Sequence, residues 1–222
     1  MLTYSDQVFI NCPFDPDYRD FLRAIVFAVQ DCGFAARSAL EISDSGEVRI
    51  TKIKRIIEES RHGIHDISRV ELDPHSGLPR FNMPLELGLF LGAQSYGDAD
   101  QKQKRCLVLD SDRSRYQTFC SDIAGQDIKS HGGDPLKALA EVRDWLGSFR
   151  SEDGVLLPGA AEMRKRYERF QLELPAICED IGLEPANLLF GELRTIVQEW
   201  TAENPFRSPG ARKGSRRSAK SR

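Results

Sequence analysis

The chain has 222 residues and a hydrophobic fraction of 40%, which suits one α/β domain with an appendage and excludes a wholly disordered chain. Its longest strictly apolar run, residues 24–29, has six residues, so the sequence predicts no membrane-spanning helix, and its start lacks the pattern of a signal peptide. The five cysteines are scattered without a CxxC pair, which argues against a disulfide framework or a metal site and favours a cytoplasmic protein.

The net charge of −3 is unevenly distributed along the chain. Residues 204–222 contain seven Lys and Arg and no acidic residue, so this tail carries +7 and the rest of the chain −10. The tail composition predicts disorder. It is either an arm for nucleic acid or an acidic partner, or a solvated terminus, and the second interpretation is favoured. The acidic body argues against a dedicated DNA-binding domain.

Short apolar runs alternate with amphipathic segments over residues 1–150. The predicted strands cover residues 8–12, 34–40, 62–67, 106–110 and 127–129, and the predicted helices cover about 21–29, 48–57, 82–93 and 135–145. This alternation indicates right-handed βαβ crossovers. We therefore expect a flavodoxin-like three-layer α/β sandwich with a parallel sheet of about five strands, in which the first strand is central.

Two further features of the helices are predicted. Lys52 is expected on the solvent side of the second helix. From residue 158 the pattern becomes purely helical, and residues 158–203 are expected to form a helical hairpin packed on the α/β body. The sequence leaves open whether this hairpin is a dimerisation element, which would make the chain a homo-oligomer, or a lid.

Glu86 is the only ionisable side chain in the apolar segment 83–93. A helix that is apolar on all sides is buried, and this helix begins beyond the carboxyl end of a strand, where parallel α/β sheets bind ligands. Glu86 is therefore either a functional carboxylate or a partner of the helix dipole.

Three segments resemble nucleoside 2-deoxyribosyltransferases and the related TIR domains. Residues 8–14 resemble their first strand with its Pro-Phe loop, and residues 65–68 resemble a third strand ending near an Asp. Residues 85–93 resemble the ELG-x-A helix. The resemblance covers about residues 8–147 and implies that Glu86 is the nucleophile, and that residues 41–49 form a loop over the site.

The chain departs from these families at two places. Deoxyribosyltransferases carry an Asp-x-Gly-Thr lead-in whose Asp assists protonation of the base, and Arg80 stands where this Asp would fall. Typical TIR domains end the first strand with Ser-Tyr, whereas this chain has Asn11 and Cys12.

Other side chains near these motifs have two interpretations each. Asn82 either binds a ribose hydroxyl or caps the helix, and Arg80 and Arg69 either bind phosphate or face solvent. Asp66 either contacts ribose or caps a turn. His65 is expected to be a core residue, and Cys12 a buried thiol. The substrate-binding candidates are Asn11, Cys12, Pro13, Phe14, Asp66, Arg80 and Asn82.

These observations favour an enzyme that processes N-glycosides. A single carboxylate can stabilise or trap a ribosyl cation at C1′, so Glu86 is the catalytic candidate, and NAD, a nucleoside or a nucleotide is the expected substrate, with no cofactor or metal. The resemblance further implies a bacterial defence effector or toxin that depletes nucleotides. The alternative is a non-catalytic TIR-like module for nucleotide sensing or self-association.

Overall fold

The computed structural model describes residues 3–41, 44–70, 72, 77–152 and 154–206. The predicted basic tail from residue 207 onward, and residues 42 and 43 of the predicted loop 41–49, lie outside the described residues. In the described part of the chain, no helix is both long and apolar enough to cross a membrane.

Five parallel strands form one sheet in the order β2-β1-β3-β4-β5. The strands are β1 (Gln7–Asn11), β2 (Ala35–Arg37), β3 (His62–Asp66), β4 (Arg105–Asp110) and β5 (Lys129–Ser130). This is the flavodoxin-like order. The first strand, predicted to be central, lies inside the sheet between β2 and β3, and β3 holds the middle position.

Helices cover both faces of the sheet. They are α1 (Arg19–Asp31), α2 (Arg49–Glu59), α3 (Asn82–Tyr96), α4 (Pro135–Glu152), α5 (Ala160–Asp180) and α6 (Phe190–Glu203). Alternation along β1 separates two cores. Val8 and Ile10 pack with α1 and α4, whereas Phe9 packs with Ile53 of α2 and Phe90 of α3.

The C-terminal helices share the core of the α/β body. Helix α1 lies between the sheet and α5–α6, and its residues 24–29 are completely buried. The Phe27 ring contacts Tyr167, Phe170 and Trp200, with ring centroids 5.3–5.6 Å apart. Because α1 is also apolar on the side facing away from the sheet, α5 and α6 are needed to bury that side.

Three details of the predicted elements are corrected. Lys52 is buried, with 6% exposure, rather than solvent-facing. Helix α3 is not buried on all sides, since Leu85 is 56% exposed and Phe81, just before the helix, is 60% exposed. The second strand stops at Arg37 because a turn follows, in which the Leu40 amide donates to Ser38 Oγ at 3.3 Å. The Asp134 side chain caps α4 by accepting the Leu136 amide at 2.8 Å.

Candidate active site at the carboxyl edge of the sheet

The connections from β1 and β3 leave the sheet in opposite directions, so the crevice between these strands is the topological switch point of the fold. Ligands of doubly wound sheets bind at such crevices. Asn11 ends β1 and Asp66 ends β3. The first turns of α3, which follows β3, carry Glu86 at the same edge.

Glu86 lies on the buried side of α3 with 4% exposure. Among the described residues, its carboxylate makes no hydrogen bond and no ion pair. Burial raises the pKa of this carboxyl from its ordinary value of 4.5 to about 7, and the charge of Arg49 acts weakly in the opposite direction. Glu86 therefore exchanges a proton near neutral pH, which is typical of a catalytic acid or base.

Asn11 holds the first turn of α3 against β1. Its Nδ2 donates to the carbonyl of Met83 at 2.9 Å and contacts His65 Nδ1 at 3.0 Å. A carbonyl only accepts hydrogen bonds, so the amide orientation is fixed and His65 Nδ1 is the acceptor. Met83 precedes Glu86 by nearly one helical turn, so Asn11 positions the segment that carries the carboxylate.

His65 is a core residue, as predicted. It is completely buried, and its ring meets Phe9 and Phe90 edge-on. Burial lowers its pKa to about 3. A neutral imidazole held in this way is unsuited to acid–base catalysis at neutral pH.

Cys12 directly follows β1 and is completely buried. Burial raises the pKa of its thiol well above the ordinary range, and the charges of Asp66 and Glu86 add to this effect. The thiol is therefore protonated and unreactive at neutral pH, in agreement with the prediction. The influence of both acids on this thiol indicates that Cys12, Asp66 and Glu86 lie in the same part of the fold.

Asp66 is engaged by protein groups. Its side chain accepts the Ser68 amide at 2.8 Å and the hydroxyl of Tyr18. His131 Nε2 approaches the same carboxylate to 3.2 Å, without the alignment of a hydrogen bond. Asp66 is completely buried. Of its two predicted roles, capping of a turn is the one that the geometry shows.

Arg80 does not lie free for phosphate. Its Nη1 contacts both carboxylate oxygens of Asp15 at 2.7 Å, which joins the segment before α3 to the loop after β1. Asn82 is exposed, and the residue at the N-cap position is Phe81, without a side-chain cap. The predicted capping role of Asn82 is therefore wrong.

The Pro-Phe loop after β1 borders a cleft of about 210 Å³. Pro13 is buried and Phe14 half-buried, and both line this cleft together with Pro185 and Leu188 from the α5–α6 connection. The guanidinium of Arg49 lies 5.8 Å from the centroid of the Phe14 ring. The C-terminal hairpin thus supplies one wall beside the candidate site.

Sequence reasoning missed three residues of this edge. Tyr18 and His131 surround Asp66, and Arg49 faces Phe14 and Glu86. The position of His131 directly after β5 was an available signal, because strand ends meet at one edge. Nothing in the local sequence singles out Arg49. No group of His, Cys, Asp and Glu among the described residues is arranged to hold a metal ion.

The chain was compared with models of known protein families, with curated proteins and with solved structures, and none of these comparisons gives a match. The functional argument therefore depends on the geometry of the site.

Proposed function

We propose that the chain is an N-glycoside-processing enzyme that hydrolyses, or transfers a ribosyl group from, NAD or another nucleotide or nucleoside. The observation that carries the proposal is Glu86, a carboxylate with 4% exposure that has no hydrogen-bonding partner among the described residues and lies at the switch point of the sheet. The resemblance to deoxyribosyltransferases and TIR domains supports the same residue as nucleophile.

The environment of Glu86 suits a positively charged transition state. Cleavage of an N-glycosidic bond develops positive charge at C1′, and a carboxylate in a poorly solvated position stabilises that charge more strongly than one in water. The base leaves, and C1′ is taken by water or by a second acceptor. Glu86 either stabilises the cation or bonds to C1′ in a covalent intermediate.

Two properties of the proposed enzyme follow from the sequence alone. The scattered cysteines favour the cytoplasm as its location, and all five are free thiols in the structure. The family resemblance favours a role as a nucleotide-depleting defence effector.

A non-catalytic sensing or self-association module is the second candidate. It is supported by an apolar surface beside the site, where Leu78, Phe81 and Leu85 are each more than half exposed. Exposed apolar patches of this kind are typical of interaction surfaces.

Base release from purified full-length protein tests both candidates. The protein is incubated with NAD, nucleosides and nucleoside monophosphates, and free base is separated by chromatography. We expect release from at least one substrate, a loss of several orders of magnitude in Glu86→Gln, and unchanged activity in Glu179→Gln, which alters an exposed acid on α5. Equal activity of the folded Glu86→Gln variant, or no release from any substrate, would contradict catalysis and favour the module.

A further inference from the structure

A second cavity lies on the α2 side of the candidate site. It has a volume of about 240 Å³ and is lined by Arg49 and Lys52 of α2 and by residues of the segment before that helix. Two cationic side chains in one turn of helix give this cavity a wall suited to an anion. Neither residue was a predicted site residue.

Arg49 is the cation available in this cavity. Among the described residues, its guanidinium makes no hydrogen bond and no ion pair. Arg55 on the same helix differs, because it pairs with Glu47 at 3.4 Å and with Glu59 at 3.9 Å. Arg80, the predicted phosphate ligand, is held by Asp15. The geometry therefore favours Arg49 over Arg80 as the candidate phosphate ligand.

The acidic residues of the cavity are already engaged. Glu47 faces Arg55, and Asp44 Oδ1 accepts the Gly46 amide at 2.8 Å. The charge of Arg55 reduces the repulsion between Glu47 and an anion beside Arg49. Lys52, with 6% exposure, adds positive charge at the base of the cavity.

Arg49 also connects this cavity with Glu86. Its charge is felt at the Glu86 carboxyl, yet the two side chains form no ion pair within the described structure. The Arg49 guanidinium also lies 5.8 Å from the centroid of the Phe14 ring, in the loop after β1. A ribosyl group bound at Glu86 would thus have a cation in its neighbourhood.

We propose that Arg49, supported by Lys52, binds the phosphate of a ribosyl substrate whose C1′ lies at Glu86, so that the substrate class is nucleotides rather than unphosphorylated nucleosides. The inference rests on the proposed function for the position of C1′. The phosphate is the anionic group that distinguishes these two classes, and an arginine recognises it through paired N–H donors.

Calorimetric titration with ribose 5-phosphate and with ribose tests the phosphate site without requiring turnover, since neither sugar contains an N-glycosidic bond. We expect full-length protein to bind ribose 5-phosphate at least tenfold more tightly than ribose. Arg49→Gln should lose about tenfold or more of that affinity, the usual effect of losing a hydrogen bond to a charged group. Lys54→Gln is the matched control, because it removes the same charge from an exposed position of α2.

Equal affinity for the two sugars, or equal losses in Arg49→Gln and Lys54→Gln, would overturn the phosphate site. Its failure is distinguishable from failure of the proposed function. Selective binding of ribose 5-phosphate without any base release retains the site and rejects the enzyme, whereas base release that is equally fast from nucleosides and nucleotides retains the enzyme and rejects the site.

Discussion

Replacement of Glu86 by Gln should remove one contribution to the pH dependence of the unfolding free energy. The folded state raises the pKa of this carboxyl from 4.5 to about 7. Between these two values the folded protein therefore binds more protons at Glu86 than the unfolded chain does. Stability falls with rising pH wherever the folded state binds more protons, so Glu86 should contribute a loss of stability between about pH 4.5 and pH 7.

The size of this loss follows from the pKa difference. One pKa unit corresponds to about 1.36 kcal/mol, so the difference between 4.5 and about 7 corresponds to about 3 kcal/mol. The Gln side chain does not titrate, and its own burial cost is independent of pH. The difference in unfolding free energy between wild type and variant should therefore change by about 3 kcal/mol between pH 4 and pH 8, in favour of the variant at pH 8.

Urea denaturation of both proteins at several pH values measures this difference, because all other titrating groups cancel in the comparison. In thermal melts, a change of this magnitude corresponds to a shift of roughly 6–12 °C in the melting temperature of the variant relative to wild type, for a chain of this size. Glu179→Gln changes an exposed position, so its unfolding free energy should vary with pH in the same way as that of wild type. Parallel pH profiles for wild type and Glu86→Gln would refute the inference that Glu86 is held in a poorly solvated position.

Three other outcomes are expected. If ionised Glu86 is the catalytic form, kcat/KM for base release should rise with pH through a midpoint of about 7, and a pH-independent rate would contradict this role. Trp200→Ala should destabilise the protein by about 3–5 kcal/mol in urea melts, because the ring is 4% exposed and packs on Phe27, whereas Leu189→Ala at an exposed position should have little effect. A chain ending at Pro205 should melt at the same temperature as the full chain, because the removed residues carry no large apolar side chain apart from Phe206; a large loss of stability would show that the tail is packed.

Most of the fold was predictable because its strands are short apolar runs between amphipathic helices. The run at residues 8–12 contains Val8, Phe9 and Ile10, whose alternate sides are buried by different helices. The exposure of α3 was not predictable in the same way. Its apolar composition indicates burial, but Leu85 faces away from the sheet, where no described element covers it.

Only some residues of the candidate site were predictable from the sequence, and their contacts were not. Glu86 stands out in sequence as the only charge in an apolar segment. The engagement of Asp66 by Tyr18, and of Arg80 by Asp15, depends on loops that meet only after folding. Sequence periodicity carries no information on such pairings, so the sequence could not show that Asp66 and Arg80 already have protein partners.

The sign of the pKa shift favours one of the two interpretations of Glu86 over the other. A carboxylate that serves as a partner of the helix dipole is stabilised in its ionised form, which lowers its pKa below the ordinary value. Burial has instead raised the pKa of Glu86 to about 7, so the fold is less stable with this group ionised than it would be with a neutral one. Neighbouring Asn11 adds a second cost, because its Oδ1 is buried without a partner among the described residues. Groups that reduce stability are retained where function requires them, and both of these lie where β1 meets α3, at the carboxyl edge where parallel α/β sheets generally bind ligands.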